Sequence, residues 1–280
     1  MKRYKIKEMA NLMDISPSTL RNFEEKGLLF PHRTAQSGYR QFDPVDLNLL
    51  FRIRGFTRCG FSLDETARLM HSEELIPIAD ALFHKSQLLD QQLRLMALKS
   101  QYMKHRARHL LRATHLGREW ILDSSPAMYL LPFRTNNQIM NEDDRAQVIR
   151  RWASLKPFTE SLLLYPLEEM RSGSMGYVCG TCIEKAYGDA LGVHPGGHVL
   201  LKESQPLCAY TLVSGVTDRT GVAQSANDTA FQARMRQVLR TLAQEGYIPK
   251  ADAYGTTLHT QVSVREYLHI SELWIPLGKK

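Results

Sequence analysis

The stretch Ser16-Pro17-Ser18-Thr19-Leu20-Arg21-Asn22-Phe23-Glu24-Glu25-Lys26-Gly27-Leu28 decides the fold of the first part of the chain. Ser16 offers an N-cap hydroxyl, and Pro17 falls at the first helical position, where a missing N–H costs nothing. Leu20 and Phe23 share one face, and Gly27 closes the helix. Upstream, Ile6, Met9, Ala10 and Met13 repeat at helical spacing until Asp14-Ile15. Two short helices with a tight turn between them form a helix-turn-helix. Downstream, Pro31 to Phe42 has turn residues in its middle and an alternating end, which predicts a small hairpin, or wing. Gly38 lies near the tip of the wing, and Arg33 and Arg40 flank it. Asp43-Pro44 opens a third helix through Leu47, Leu50, Phe51 and Ile53, and Ser62 with Glu65 caps a fourth.

Charge is concentrated at the same end. The 280 residues carry a net +7, and all the positive excess lies in the first 118 residues. A basic front on a near-neutral back suggests a polyanion-binding module joined to something else. At 43% hydrophobic and 23% charged, the chain can build real cores, and its length suggests about two domains. Four cysteines exclude a disulfide scaffold and point to a reducing, cytoplasmic compartment. The basic start lacks the apolar stretch of a secretory signal, and no apolar run is long enough to span a membrane.

From about 79 to 112 the pattern tightens into heptads. Leu82, Ser86, Leu89, Leu93, Met96, Ser100, Met103, Ala107 and Leu110 alternate at spacings of four and three without Gly or Pro. A sustained 3.5-residue period means a seam facing another helix. Either a second subunit or a monomeric bundle can cover such a seam, and nothing nearby in the chain offers the latter.

Residues 119–280 read as mixed α and β. Strand-like runs lie at 128–133, 161–167, 175–183, 206–214 and 265–276, and helical runs at 145–156 and 228–245. The order strand–helix–strand–strand is expected twice, which gives a pseudo-duplicated α+β domain.

The first 70 residues resemble the MerR family of transcription regulators. The resemblance is carried by Tyr4-Lys5-Ile6-Lys7-Glu8-Met9-Ala10, by Ser16 to Leu28, by the wing Ser37-Gly38-Tyr39-Arg40-Gln41-Phe42, and by Gly60-Phe61-Ser62-Leu63-Asp64-Glu65. Where that family usually has two tyrosines after Leu-Arg, this chain has Asn22 and Phe23. The last 160 residues look like a GyrI-like effector-binding domain of the multidrug-sensing type, on the doubled element order and the terminal Glu272-Leu273-Trp274-Ile275-Pro276. The expected architecture is α+β in three parts: a winged helix-turn-helix over 1–74, a coiled-coil dimerisation helix over 75–118, and the effector-binding domain over 119–280.

A recognition helix offers its N-terminal residues to base edges in the major groove. Here these are Ser18, Thr19, Arg21 and Asn22, with Arg suited to guanine and Asn to adenine. Arg33, Tyr39 and Arg40 on the wing are placed to grip phosphates. The bland alternative for Arg21 is a surface pair with Glu24 or Glu25. In the terminal strand, alternation sets Glu272 and Trp274 on one face with Leu268 and Ile270. A carboxylate there is costly unless paired. A bound cation can pair with it, Trp274 can add cation–π attraction, and Tyr177, Tyr187, Tyr210 and Tyr254 can supply further walls. The alternative is a structural Glu bonded to a nearby Arg or facing solvent. The resemblance adds that an acidic residue at this position lines the drug pocket of related sensors.

The spacing Cys179-x2-Cys182-x11-His194-x3-His198 invites a zinc reading. On a strand, however, positions 179 and 182 face opposite sides, so no metal is expected there. Cys59 and Cys208 read as small buried hydrophobes. No nucleophile elbow, phosphate loop or HExxH is present, so no catalytic residue, no cofactor and no enzyme activity are expected. The sequence therefore predicts a dimeric, effector-responsive transcription regulator, activating in kind, that remodels double-stranded promoter DNA for RNA polymerase and senses a small cationic aromatic or drug-like molecule. A DNA-tethered hydrolase and a regulator whose back domain docks a protein are the rival readings.

Overall fold

The computed structural model describes residues 2–34, 38–116, 119–135, 138–140, 142–218, 224–264 and 266–280. Ala35, Gln36 and Ser37 of the expected wing, and the expected boundary at 118, lie outside the described residues. The chain divides into two compact units, Met1–Met96 and Ala97–Lys280.

The first unit runs β1 (Tyr4–Lys5), α1 (Ile6–Met13), α2 (Pro17–Glu25), β2 (His32–Arg33), β3 (Arg40–Phe42), α3 (Asp46–Arg58) and α4 (Leu63–Met70). Asp14 ends α1 in the left-handed region at φ 50°. Ser16 Oγ then accepts from the Thr19 amide at 3.1 Å and starts α2, with Pro17 next. An N-cap of this kind stabilises by about 1 kcal/mol. The α4 capping box is complete: the Ser62 amide donates to Glu65 Oε2 at 2.6 Å, and the Glu65 amide donates to Ser62 Oγ at 3.2 Å. α3 begins at Asp46 rather than at Pro44, because the Asp43 amide donates to the Asp46 carboxylate at 2.7 Å and holds 43–46 as a turn. The three strands order β1-β3-β2. Met9, Met13, Leu20, Phe23, Leu50 and Ile53 are buried together as one core. Each contributes about 1.5–3 kcal/mol on removal from water.

α5 spans Leu75–Thr114, 40 residues, longer at both ends than the heptad stretch of 79–112 and within the 75–118 expected for the dimerisation helix. At 1.5 Å per residue it is about 60 Å long. The seam residues Leu82, Leu89, Leu93, Met96, Met103 and Leu110 are all exposed in the single chain. Among the described residues no helix is long and apolar enough to cross a membrane.

The second unit adds β4 (Trp120–Asp123), β5 (Met128–Thr135), β6 (Gln138–Ile139), α6 (Glu142–Ser154), β7 (Glu160–Tyr165), α7 (Leu167–Ser172), β8 (Val178–Glu184), α8 (Lys185–Ala190), β9 (Leu200–Lys202), β10 (Cys208–Asp218), α9 (Gln224–Gln244), β11 (Tyr247–Pro249), β12 (Ala253–Val262) and β13 (Glu266–Lys279). The main sheet orders β4-β10-β13-β12-β7-β8-β5-β6, with β9 on β5 and β11 on β13. The expected strand–helix–strand–strand order is met in part: β5, α6, β7 and β8 follow one another with β6 and α7 inserted, and β10, α9, β12 and β13 with β11 inserted. In each half the last strand lies between the other two, and the halves meet at the antiparallel β7–β12 pair.

β12 lies outside every strand run expected from the sequence, and Gly255 explains why. Glycine weakens a strand signal. Here it is required, because a Cβ on Gly255 would stand 1.8 Å from the Glu272 carbonyl oxygen. On one face of the sheet, Val213, Leu273 and Ile275 pack with Phe231, Met235, Val238 and Leu242 of α9. The other face carries the site described next.

Candidate functional site

Two surfaces concentrate the residues singled out above. The first is the outer side of α2. Its inner side, Leu20 and Phe23, is buried, which turns Ser18, Arg21 and Asn22 outward. Arg21 has no ion-pair partner among the described residues, so neither Glu24 nor Glu25 ties it down. Ser18 Oγ and Thr19 Oγ1 lie 2.6 and 2.8 Å from Ser16 Oγ and serve the helix cap in this state. Of the wing residues, Tyr39 is 74% exposed. Arg33 and Arg40, expected to grip phosphates, both pair with Glu24. Arg33 Nη2 donates to Glu24 Oε1 at 2.8 Å, and Arg40 Nε donates to Glu24 Oε2. Burial alone would push the Glu24 carboxyl up, but the Arg40 and Arg33 hydrogen bonds outweigh it and hold the pKa below the ordinary value. Glu24 thus docks the wing on the recognition helix.

The second surface is a buried carboxylate. Tyr254, Trp274 and Tyr210 form one cross-strand row, and Thr256, Glu272 and Leu212 form the next. Rows two residues apart share a face of the sheet. Glu272 and Trp274 are each 2% exposed. Glu272 is fully engaged: it accepts from Thr256 Oγ1 at 2.9 Å and from Tyr210 Oη at 3.1 Å. His109 Nδ1 of α5 stands 3.1 and 3.2 Å from its two oxygens. The hydrogen bond to Glu272 raises the His109 pKa above its ordinary value, against the opposing effect of burial. Burial, then the charge of Glu272, pushes the Tyr210 phenol well up. The Arg112 guanidinium stacks 4.0 Å over the Tyr210 ring and pairs with Asp123.

Around this pair the end of α5 closes a cavity of about 20 Å³, lined among others by Tyr102, His105, His109, Glu184, Tyr187 and Trp274. Tyr102 donates to Glu160, and His105 Nε2 lies 2.6 Å from Glu184 Oε1. Arg106 donates to the carbonyls of Thr257 and Leu258 at 2.6 and 2.8 Å. The structure therefore gathers Glu272, Trp274, Tyr187, Tyr210 and Tyr254 in one region. Tyr254 is tied off, its hydroxyl bonded to Ser125 and to the Pro126 carbonyl at 2.9 Å, and burial pushes its phenol up to about 12. Tyr177 is not there. It precedes β8 and packs with Tyr165 and Phe231 against the α9 side, lining a separate cavity of about 270 Å³.

The α5 residues of the site escaped the sequence reading. Their signal was present: Leu98, Tyr102, His105, His109 and Arg112 repeat at four and three, a second heptad stripe two residues out of phase with the seam. The cysteines differ from expectation in part. Cys208 is buried, but Cys59 is exposed, because it caps the C-terminus of α3 just before the turn at Gly60. Cys179 and Cys182 sit on β8, and among the described residues no metal-ligating cluster joins them to His194 or His198.

Residues 4–73 match the model of the MerR HTH family regulatory proteins. Over 81 residues the chain is 33% identical to the uncharacterized HTH-type transcriptional regulator slr0701 of Synechocystis, covering 29% of this chain and 59% of that protein. It is 31% identical over 81 residues to the HTH-type transcriptional activator TipA of Streptomyces coelicolor, covering 29% of this chain and 30% of TipA. The chain thus spans less than two thirds of the length of these curated relatives. A cryo-EM structure of an EcmrR–DNA complex aligns over 99% of this chain and 100% of its own, at 14% identity and a TM-score of 0.36. The N-terminal segment, residues 4–73, is a MerR-family helix-turn-helix.

Proposed function

We propose that the chain is an effector-responsive, DNA-binding transcription regulator that acts as a homodimer. The reading divides it into a DNA-binding part over 1–74, a dimerisation helix over 75–118 and a GyrI-like effector domain over 119–280. The observation that carries it is α2: a helix-turn-helix whose outward face presents Arg21, without an ion-pair partner among the described residues, beside Asn22 within a matched MerR segment. Arg21 reads guanine and Asn22 adenine, and the wing anchors the protein to phosphates. The activating sense is supported by TipA, which is named an activator. RNA polymerase at the promoter is the expected further partner.

The effector half of the proposal rests on Glu272. A carboxylate held among Trp274, Tyr210 and Tyr187 suits a small aromatic cation. Drug-sized ligands occupy about 300–1,000 Å³. The present 20 Å³ is far too small, so binding requires the Tyr102–His109 face of α5 to lift from the sheet. Such a displacement moves the helix that bears the dimer seam, which supplies a route from effector to DNA. The test is selection of binding sites from random duplex DNA with the full chain, then footprinting. Recovery of a near-palindromic site supports the reading, and failure to enrich any sequence above background rejects it.

A further inference from the structure

His105 and His109 sit four residues apart on α5, so they lie one above the other on one helix face. Their ring centroids are 4.3 Å apart. Glu184, at the end of β8, meets them from the sheet, and one ligand atom from each of the three falls within 4.8 Å of the others. This spacing is that of a His-x3-His pair completed by a carboxylate, a donor set suited to zinc. We infer that His105, His109 and Glu184 form a three-ligand site for one divalent ion of the zinc type, with a fourth position open to the enclosed cavity.

Three further features fit an ion there. His109 already presents Nδ1 to Glu272 at 3.1 Å, which leaves Nε2 as its donor atom. Metal-bound histidines are held by such a carboxylate on the other ring nitrogen, which fixes the ring and raises its basicity. Glu272 is thereby a positioning residue for His109. The cavity of about 20 Å³ has room for one water or ion, by the roughly 10–15 Å³ that a water needs. The indole Nε1 of Trp274, which lines the same cavity, is buried and has no hydrogen-bond partner among the described residues. A water on the open position supplies an acceptor in the same cavity.

Binding an ion requires modest adjustment, since ligand atoms now up to 4.8 Å apart must draw together by as much as about 1.5 Å. Ligand atoms bound tetrahedrally at about 2.0–2.2 Å lie roughly 3.3 Å from one another. The 2.6 Å contact between His105 Nε2 and Glu184 Oε1 must therefore widen by under about 1 Å as the ion replaces their hydrogen bond. No other Cys, His, Asp or Glu group of three among the described residues converges in this way.

The test uses tag-free, full-length protein stripped with chelator and titrated with Co²⁺ and Zn²⁺. One equivalent of Co²⁺ should bring visible d–d absorption of a four- or five-coordinate site, and Zn²⁺ should abolish it stoichiometrically. Loss of an outer partner costs about 10–100-fold in metal affinity. Glu272→Gln should weaken Zn²⁺ by about that factor, measured against a chromophoric chelator, and His105→Ala or Glu184→Gln by more. The double change His194→Ala with His198→Ala, outside the cluster, should leave binding intact. Circular dichroism of each stripped variant checks folding, and His105→Gln replaces His105→Ala where the latter is unfolded. Absence of one-equivalent binding, or unchanged affinity in folded His105 and Glu184 variants, overturns the assignment. So does loss of binding in the His194/His198 variant alone.

Discussion

His109 Nδ1 faces both carboxylate oxygens of Glu272, at 3.1 and 3.2 Å, across 163 positions of sequence. A residue of the long helix therefore hydrogen-bonds a buried acid of the sheet, and becomes its counter-charge when protonated. Desolvating a carboxylate is unfavourable by several kcal/mol unless charge and hydrogen bonds compensate. Here Thr256 and Tyr210 supply hydrogen bonds, as does His109, which adds the charge when protonated. The end of α5 is thus held to its sheet by a polar lock as well as by apolar contacts.

That lock should show as coupling. Removing one partner of a buried pair strands the other charge and costs about 3–5 kcal/mol. His109→Ala is expected toward the upper end, because the charge it strands, Glu272, is almost fully buried. Glu272→Gln removes the charge that strands. The double variant should then be less destabilised than the sum of the two, by 0.5–3 kcal/mol, the range seen for residues in contact. Urea denaturation of all four proteins measures this. Strict additivity would mean that the two groups do not stabilise each other.

Glu24 sets a second expectation, on DNA. It holds Arg33 and Arg40 while lying on the recognition helix. Glu24→Gln weakens that hold and removes a negative charge from the proposed DNA-binding surface. Affinity for all sequences should rise, and the salt slope should steepen by about one to two ions, at roughly 0.9 per phosphate contact. Arg40→Ala should weaken all sequences alike and lower the slope by about one. Arg21→Ala should also relax sequence preference, at about 1–3 kcal/mol for the base it reads. Mobility shifts over a salt series decide this, and no change in any of the three would remove α2 and the wing from the interface.

Much of this molecule was legible beforehand. Caps such as Ser16 and Ser62 act within one turn, so the helix-turn-helix and α4 could be read locally. The terminal strand alternates cleanly, which put Glu272 beside Trp274. What escaped depends on distant partners. β12 needed Gly255 for backbone approach to β13, and a glycine argues locally against a strand. Arg33 and Arg40 read as free cations because their shared acid, Glu24, belongs to another element. His105 and His109 lie off the heptad seam that the sequence shows, and only the folded sheet reveals what their stripe meets.

The exposed seam of α5 gives a prediction about assembly. Leu93 and Met96 are 64% and 65% exposed in the single chain. Aspartate at both positions places two charges per helix in the proposed dimer interface, where an unpaired buried charge is strongly unfavourable. Sedimentation velocity should show monomers, and DNA affinity should fall steeply because two half-sites are no longer held together. A dimer of unchanged stability would assign dimerisation to another surface.

The last prediction concerns selectivity for charge. In the proposed sensor a lipophilic cation must take over the place His109 holds now, since Glu272 is almost fully buried and His109 is the imidazole that meets it. Truncating one partner of a buried charge pair costs about 2–5 kcal/mol, at least an order of magnitude in affinity. Glu272→Gln should therefore weaken a cationic dye at least tenfold while leaving a neutral dye of the same shape nearly unaffected. Trp274→Ala should weaken both, because apolar contact is lost along with the π face. His109→Ala separates the sensor from a purely structural pair. With its internal counter-charge gone, Glu272 should bind the cationic dye more tightly than in the parent, and the neutral dye should gain only what the opened space allows. Fluorescence titration of the matched dyes against all three variants reads each effect. Equal losses of both dyes in Glu272→Gln, or no gain for the cation in His109→Ala, would leave Glu272 as the anchor of α5 and nothing more.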